Sequence, residues 1–429
     1  MNAPHEHQRL ADPTVLHTHF MNVRAQTMAL IAPLSVEDCG AQSMPDASPA
    51  KWHVAHTTWF FETFILEQFE ADFRSHHPAF RVLINSYYNG VGDKHLRAHR
   101  GMLTRPSHAE VLAYRTDVDN RVLALLPRQG DAAANEAASE CAKLIKLGLQ
   151  HEQQHQELIM TDMKHLLSMN PLNPAYSLMP AVDRAPAAGA ALQWLSFDAG
   201  IVMIGHDADN FSFDNETPRH RQFVEDFSLA ARLVTNGEYR TFIEEGGYVN
   251  PAFWLSEGWD WVSAHCLSQP LYWHHDSEHG WQEFTLQGMQ RIDRDAALTH
   301  VSYFEADAYA RWAGVRLPTE AEWETAVAAD VGERAAVLSQ VDDTCWQWTS
   351  SSYAQYPGYV PQPGALGEYN GKFMVNQYVL RGGSQATPAG HTRPTYRNFF
   401  PATARWQFSG IRLARSSMFD AASVPQDAR

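Results

Sequence analysis

The feature that most constrains the fold is a pair of histidines inside a long amphipathic pattern. His151 and His155 lie in the run HEQQHQE at positions 151–157. On an α-helix, residues four apart differ by about 40° in direction and one turn in height, so both imidazoles can point at one atom. The pair shares a stripe of helical spacing with Leu144, Leu147, Gly148, Leu158 and Asp162. The pattern therefore predicts a long helix that turns both histidines towards a core.

Metal ions are a common reason for histidines at this spacing, and an unpartnered imidazole in a core is costly. The chain has 22 histidines, so a satisfied core pair is the alternative interpretation. The neighbouring carboxylates do not complete a site easily. Glu157 lies about 200° around the helix from His155, and Asp162 lies about 10 Å further along it. We therefore expect any third ligand to come from another helix.

Four helices are predicted in the first 170 residues, at about residues 13–31, 50–69, 107–126 and 133–169. Asp12-Pro13 and Ser48-Pro49 are start signals for the first two, and the third begins at a capping box of Ser107 and Glu110. The second helix carries His56 on its core stripe, with His53 one turn earlier. Short and medium connections predict an up-down bundle with a metal site in its core.

The connection at residues 70–105 has no clean periodicity, and a loop this long in a compact domain is usually functional. It carries the tandem tyrosines Tyr87 and Tyr88, followed by a basic run that includes Arg97 and Arg100. A solvated basic surface is the alternative interpretation of that run.

The second half has a different texture. Residues 176–190 are rich in proline and alanine and predict a linker between a first domain at 1–175 and a second at 191–429. After the linker, short segments, many glycines and repeated tryptophans predict an α+β domain with much irregular structure. Its clearest helices are expected at residues 303–312 and after a cap at Thr319, with Glu322 completing a capping box.

Composition excludes several classes of protein. The formal charge is 33 − 49 = −16, so nucleic acid and anionic membranes are not expected partners. The chain has no run of about 18 apolar residues, so no transmembrane helix is predicted, and the first residues lack a secretion signal. Four scattered cysteines without CxxC spacing fit a reducing compartment. We therefore expect a cytoplasmic protein.

Several motifs together resemble one family, the sulfoxide synthases of ergothioneine biosynthesis. They are the Ala55-His56 pair, HEQQHQE at 151–157, RLPTEAEWE at 316–324, RGGS at 381–384 and YRNFF at 396–400. The resemblance covers nearly the whole chain. It implies an N-terminal DinB-like four-helix bundle followed by a C-terminal domain like the formylglycine-generating enzymes, which have a C-type-lectin-like fold.

The resemblance also implies a chemistry. In the family a mononuclear non-haem iron, Fe(II), is held by three histidines, which map onto His56, His151 and His155. The implied reaction joins hercynine, the trimethylated histidine, to a thiol with O₂ and leaves the sulfur as a sulfoxide. Imidazole ligands alone suit zinc, copper, iron or nickel, so the choice of iron comes from the resemblance.

Residues for the substrates are implied in the same way. Gln154 and Asn398 match positions that hold hercynine, and Phe399 and Phe400 are candidates for its quaternary ammonium, with simple packing as the alternative. Tyr87 and Tyr88 resemble the tandem tyrosine of the class that accepts free cysteine. A phenol there is a candidate proton donor. Arg97 and Arg100 are candidates for the cysteine carboxylate.

Other functions remain open from the sequence. The donor is expected to be cysteine, since Phe399-Phe400 stands where members using γ-glutamylcysteine carry an acidic group. A selenium-transferring synthase with a selenosugar donor shares both domains. Formylglycine generation needs a close pair of reactive cysteines, and the second half offers only Cys266 and Cys345, 79 positions apart. A metal-stabilised binding module without chemistry is the alternative from another class.

Overall fold

The computed structural model describes residues 13–126, 136–177, 191–207, 210–329, 338–361 and 364–416. Its first half is helical, as expected, and its helices are α1 Pro13–Ile31, α2 Val36–Gly40, α3 Ala50–Phe61, α4 Phe80–Leu83, α5 His108–Leu125 and α6 Glu136–Ser168. Helix α3 continues through a π-helical turn, Glu62–Leu66, and a last α-helical turn, Glu67–Phe69. Helix α1 packs on α6, and α3 packs on both α5 and α6. The predicted four-helix bundle is confirmed.

Helices α3 and α6 approach each other closely at Gly148. A Cβ atom at this position would lie 2.8 Å from Cε1 and 2.9 Å from Cζ of Phe61, which is closer than carbon atoms can pack. Glycine in a helix costs about 1 kcal/mol of helix stability relative to alanine. Here its lack of a side chain lets the two helices that carry the predicted ligands lie against each other.

The predicted helix starts are only partly correct. Ser107 and Glu110 form the expected capping box of α5. The prediction of Ser48 as the cap of α3 was wrong, because Pro49 occupies the N-cap position and makes no side-chain cap. Ser48 turns inward instead. Its backbone N–H donates to Asp162 Oδ2 at 2.8 Å, and its hydroxyl accepts from Arg100 at 2.9 Å. Asp12 and the predicted start of α6 at Ala133 lie outside the described residues.

A buried charge cluster joins α6 to the other helices of the bundle. Glu152 accepts hydrogen bonds from Arg24 Nη1 at 2.7 Å, Arg115 Nη2 at 2.5 Å and Thr27 Oγ1 at 2.5 Å. Burial alone would raise the pKa of Glu152, but the Arg115 and Arg24 guanidiniums lower it to about 2. The carboxylate is therefore ionised at neutral pH and compensates two buried cations.

The second half is α+β, as predicted. Among the described residues, four small sheets pair in the orders β1-β4-β12, β2-β3, β5-β6-β7 and β10-β9-β8-β11. The strands are β1 Trp194–Phe197, β2 Gly200–Ile204, β3 His220–Val224, β4 Phe227–Ala230, β5 Trp273–Asp276, β6 Gly280–Thr285, β7 Gly288–Arg291, β8 Trp346–Ser352, β9 Tyr378–Gly382, β10 Asn398–Phe400, β11 Ser409–Gly410 and β12 Ala414–Ser416. The helices are α7 Asn236–Glu244, α8 Ser256–Ala264, α9 Tyr303–Trp312 and α10 Glu320–Ala329.

The two sequence motifs of this half meet through one arginine. Arg381, at the end of β9, forms buried ion pairs with Glu320 at 3.1 Å and Glu324 at 2.9 Å on α10. Thr319 and Glu322 form the expected capping box, with N···O distances of 3.1 and 2.7 Å. RLPTEAEWE and RGGS are thus parts of one packing unit.

A carboxylate of α6 joins the two halves. Glu157 Oε1 accepts from Trp346 Nε1 and Ser384 Oγ, both at 2.6 Å, and its Oε2 accepts from Thr387 Oγ1 at 2.8 Å. All three donors belong to the second half. The HEQQHQE segment is therefore part of the interface between the helical and the α+β regions. In the described part of the chain, no helix is long and apolar enough to cross a membrane.

We expect Glu152→Gln to lower the free energy of unfolding by about 3–5 kcal/mol, because it removes the carboxylate that pairs with the buried Arg115 and one of the two carboxylates that pair with Arg24. Glu140→Gln, on the same helix, removes only an exposed ion pair with Lys143. It is expected to cost less than about 1 kcal/mol. Urea denaturation of both variants measures the difference, and equal effects would contradict a structural role for the buried cluster.

Candidate metal centre

Three imidazoles converge between α3 and α6. His56 comes from α3, and His151 and His155 come from successive turns of α6. One potential ligand atom from each lies within 4.8 Å of the others. The ring centroids are separated by 5.0 Å for His56–His151, 4.8 Å for His56–His155 and 4.6 Å for His151–His155. The third histidine thus comes from another helix, as the geometry of the α6 pair required.

The imidazoles are buried with nitrogen atoms left over. His56 Nδ1 donates to the carbonyl oxygen of Ile84 at 2.8 Å, while its Nε2 has no hydrogen-bond partner among the described residues. In the same part of the chain, neither ring nitrogen of His151 has a partner. A buried polar atom without a partner costs about 1–3 kcal/mol. Three neutral nitrogen donors around one point fit a first-row transition metal, which would satisfy these atoms.

Electrostatics keep the three rings neutral. Burial lowers the pKa of His151 to about 3, although the nearby Glu152 carboxylate opposes this effect. Burial and then the neighbouring His151 ring lower the pKa values of His56 and His155 well below the ordinary value. Neutral imidazole is the form that binds a metal ion, so the site is ready to accept one at neutral pH.

The amide of Gln154, on the same helix, is held by two tyrosine hydroxyls. Gln154 Oε1 accepts a hydrogen bond from the Tyr369 hydroxyl, and Gln154 Nε2 lies 2.5 Å from the Tyr396 hydroxyl. The Tyr369 ring lies 5.7 Å from the His151 ring and stacks on Phe213 at 5.5 Å. Two tyrosines of the second half therefore fix the orientation of the amide between the two α6 histidines.

Comparisons with known proteins agree with this two-part architecture. Residues 19–159 match the DinB superfamily model, and residues 183–344 and 338–417 match the model of the sulfatase-modifying factor enzyme 1-like domain. Hercynine oxygenase of Mycobacterium tuberculosis is 31% identical over 94% of this chain and 99% of its own length. The chain belongs to the hercynine oxygenase family.

Two further relatives match a smaller share of this chain. Hercynine oxygenase of Mycolicibacterium thermoresistibile is 30% identical over 86% of the chain and 88% of its own length. Formylglycine-generating enzyme of Mus musculus is 29% identical over 34% of the chain and 42% of its own length. The matches to these two hercynine oxygenases thus extend across both halves of the chain.

The tandem tyrosines, Tyr87 and Tyr88, lie close to the candidate metal centre. Tyr88 is buried. Its ring is 5.7 Å from Trp59, which stacks on His56 at 5.4 Å. Tyr87 stacks on Tyr88 at 4.6 Å. Burial raises the pKa of both phenols, so both keep their protons at neutral pH.

Two residues of the second half bind the loop that carries these tyrosines. Glu368 accepts from the backbone N–H groups of Asn89 at 3.0 Å and Gly90 at 2.6 Å. Lys372 donates to the carbonyl oxygen of Tyr87, and its ammonium lies 4.6 Å from the Tyr87 ring centroid. The Tyr87 and Tyr369 rings are 6.4 Å apart. The tyrosine loop and the Tyr369 segment are thus held together beside the histidines.

The structure separates the two candidate arginines. Arg97 is exposed and donates to the backbone carbonyl of Asp46. Arg100 is buried, and its guanidinium lies 3.4 Å from the Trp52 ring centroid, while the Trp52 ring stacks on His56 at 4.6 Å. Burial, and then the positive charge of Arg97, lower the pKa of Arg100 to about 9. Arg100 is therefore the nearer of the two to the candidate centre.

The residues expected from YRNFF lie further out. Asn398 Oδ1 accepts from the backbone N–H of Phe399 at 2.9 Å. The Phe399 ring stacks on Tyr353 at 4.0 Å, and the Phe400 ring lies 6.1 Å from Trp406. Among the described residues, none of the three has a recorded contact with the histidine triad. A role in binding hercynine remains a prediction for all three.

Tyr369 and Tyr396 are the residues that sequence reasoning missed. Tyr369 lies in a glycine-rich segment without periodicity, between the short 3₁₀ helices Ala365–Glu368 and Gly371–Phe373. The only available signal for Tyr396 was its place at the start of YRNFF.

The depressed pKa of His151 predicts an acid-sensitive fold for the metal-free protein. As the pH falls below about 6.5, the unfolded chain protonates this imidazole while the folded protein does not, so folding loses free energy until the pH approaches 3. At pH 5 the loss from this residue is about 2 kcal/mol. His151→Phe removes it. Urea denaturation between pH 7 and pH 5 should show a shallower pH dependence for the variant, and an equal slope would contradict the prediction.

Proposed function

We propose that this protein is a non-haem iron(II)- and O₂-dependent sulfoxide synthase that couples hercynine to a thiol, with cysteine preferred, in ergothioneine biosynthesis. The observation that carries the proposal is a cluster of three buried, neutral imidazoles in a member of the hercynine oxygenase family, two of which have nitrogens without a hydrogen-bond partner among the described residues. A relative named ergothioneine biosynthesis protein 1, from Schizosaccharomyces pombe, is 26% identical over 56% of the chain and 32% of its own length.

The reaction balances without an added reductant. The imidazole C2–H and the thiol S–H bonds break, and a C–S bond forms. One oxygen atom enters the sulfoxide, and the other leaves as water with the two hydrogens. When bound, iron(II) would supply the redox chemistry with dioxygen. His56, His151 and His155 would hold it and leave its other positions free for substrates.

Gln154 is proposed to bind the amino-acid end of hercynine. Its Oε1 has one lone pair beyond the Tyr369 hydrogen bond, and its amide nitrogen has one N–H beyond the contact with Tyr396. These groups suit an ammonium or a carboxylate. The rings of Phe213, Tyr369 and Tyr396 stand next to this amide, and aromatic faces suit a quaternary ammonium. They join Phe399 and Phe400 as candidates for that role.

Arg100 supports cysteine as the donor. Its Nη1 and Nη2 atoms donate to the hydroxyls of Ser48 at 2.9 Å and Ser86 at 3.1 Å, whereas its Nε has no partner among the described residues. A buried guanidinium with an N–H left over, and without an ion pair among the described residues, suits the carboxylate of a substrate. γ-Glutamylcysteine and a selenosugar are the alternative donors, and each is an arm of the assay below.

Formylglycine generation is less favoured by the chemistry of the cysteines. Cys345 is buried, and burial raises the pKa of its thiol to about 12, so it is a poor nucleophile. Cys266 is exposed. The two lack the close pairing that such a reaction needs.

The test is anaerobic loading with Fe(II), followed by O₂, hercynine and one donor at a time. The donors are cysteine, γ-glutamylcysteine and a selenosugar, and mass spectrometry identifies the products. We expect hercynylcysteine sulfoxide as the main product with cysteine. Turnover with a selenosugar alone would support the selenium-transferring alternative, and consumption of no donor would contradict the proposal.

We expect His151→Ala to abolish both iron binding and the O₂-dependent consumption of hercynine, because two imidazoles cannot replace the three-nitrogen face. His165→Ala is the matched control. His165 lies on the same helix, where its Nδ1 pairs with Ser43 Oγ at 2.7 Å, outside the triad. This variant should bind iron as the unmodified protein does. Full turnover by His151→Ala would overturn the assignment.

Removal of the tandem hydroxyls should divert the product towards cysteine sulfinate. A positioned proton donor contributes about 10²–10⁴-fold to a rate, so Tyr87→Phe or Tyr88→Phe is expected to lower sulfoxide formation by up to that factor. Tyr369→Phe is the comparison variant. It removes the donor that orients Gln154, so it should mainly raise KM for hercynine. An unchanged product ratio in both Tyr87→Phe and Tyr88→Phe would place the proton donor elsewhere.

A further inference from the structure

A chain of polar groups extends from the Nδ1 atom of His155. His155 Nδ1 lies 2.8 Å from His53 Nδ1, and His53 Nε2 lies 3.0 Å from Asp162 Oδ2. The backbone N–H of Ser48 donates to the same Asp162 oxygen at 2.8 Å. All three side chains are buried. His53 is not one of the triad, although its ring lies 5.1 Å from that of His155.

With Asp162 ionised and His53 neutral, these contacts fix the direction of every hydrogen bond in the chain. The Ser48 N–H can only donate, so Asp162 Oδ2 is an acceptor. The same oxygen therefore also accepts from His53, which places a hydrogen on His53 Nε2. A neutral imidazole has one donor and one acceptor, so His53 Nδ1 accepts. His155 must then carry its hydrogen on Nδ1, and its lone pair lies on Nε2.

His56 reaches the same state by a different route. The carbonyl oxygen of Ile84 can only accept, so His56 also carries its hydrogen on Nδ1 and keeps a lone pair on its unpartnered Nε2. Two of the three histidines are thus held in the tautomer that presents Nε2. A backbone carbonyl holds one, and the Asp162–His53 pair holds the other.

We propose that His53 and Asp162 are positioning residues that hold His155 in the Nδ1–H tautomer and so pre-form the metal site. The inference rests on the proposed function, since it assumes that the triad binds a metal. Partners behind a ligating histidine fix its ring and tautomer, and their loss typically weakens metal binding 10–100-fold. A pair that only braced α3 against α6 would change stability and leave metal affinity unchanged.

The arrangement follows from helical spacing. His53 lies one turn before His56 on α3, and Asp162 lies two turns beyond His155 on α6. Each helix therefore contributes at least one ligand and one residue that supports a ligand. Asp162 lies too far along α6 to ligate the metal itself, but its position suits a partner reached through a second imidazole.

The first measurement is the tautomer of His155 in the metal-free protein. Nitrogen-15 NMR distinguishes protonated from unprotonated ring nitrogens, and a His155→Gln sample identifies the signal. We expect the hydrogen on Nδ1 in the unmodified protein. A hydrogen on Nε2 would overturn the inference, whatever the metal affinity of the protein.

The second measurement is Co(II) and Fe(II) affinity by competition with a chelator. His53→Phe removes the acceptor and Asp162→Ala removes the carboxylate, and both should weaken binding 10–100-fold. Asp162→Asn is the rescue variant. Its amide oxygen can still accept from Ser48 and His53, so affinity should stay within about threefold of the unmodified protein, because the tautomer is kept.

His76→Phe is the matched control, since His76 pairs with Asp117 at 2.9 Å outside the triad. It should leave metal affinity unchanged. Unmodified affinity in folded His53→Phe and Asp162→Ala would overturn the inference. An unmodified protein that binds neither metal would instead overturn the proposed function, and the tautomer measurement would still decide the hydrogen-bond chain.

Discussion

The structure depends on one segment of α6, residues 151–157, whose side chains contact different parts of the molecule on different faces of the helix. At 100° per residue, positions 151–157 cover the whole circumference of α6. His151 and His155 face α3, and Glu152, about 100° from His151, reaches the arginines of α1 and α5. Glu157, at about 240°, binds the second half. Gln154, at about 300°, lies between that interface and the histidines. Bundle, interface and site are therefore linked through seven consecutive residues.

Residues of this segment are buried in two different charge states. Glu152 is buried as an ion, because two guanidiniums and a hydroxyl compensate its charge. The histidines are buried as neutral rings, because burial lowers their pKa values and no carboxylate contacts His56 or His151 among the described residues. Had an acidic side chain ligated the site, the ring pKa values would rise and protons would compete with the metal. The carboxylate of Glu152 lies on a different face of α6 instead.

Periodicity determined what could be predicted from the sequence. The four helices, the inward direction of the α6 pair and the need for a third ligand from another helix all follow from helical spacing. The prediction of Ser48 as the N-cap was wrong, because a serine before a proline does not exclude a helix start one residue later. Tyr369, Tyr396 and the partners of Glu157 could not be predicted, because loop segments bring them to α6 through tertiary packing. The assignment of His56 as the third histidine came from family resemblance, although its core stripe was visible.

The same packing explains why the site needs both halves of the chain. The bundle alone supplies the three imidazoles, Arg100 and the tandem tyrosines. The amide of Gln154, however, is oriented by two hydroxyls of the second half, and the tyrosine loop is held by Glu368 and Lys372. The proposed metal site and the proposed substrate contact of Gln154 therefore have separate structural origins. A substitution at the interface, such as one at Glu157, should disturb the proposed hercynine contact of Gln154 before it disturbs the histidines, which are fixed by α3 and α6.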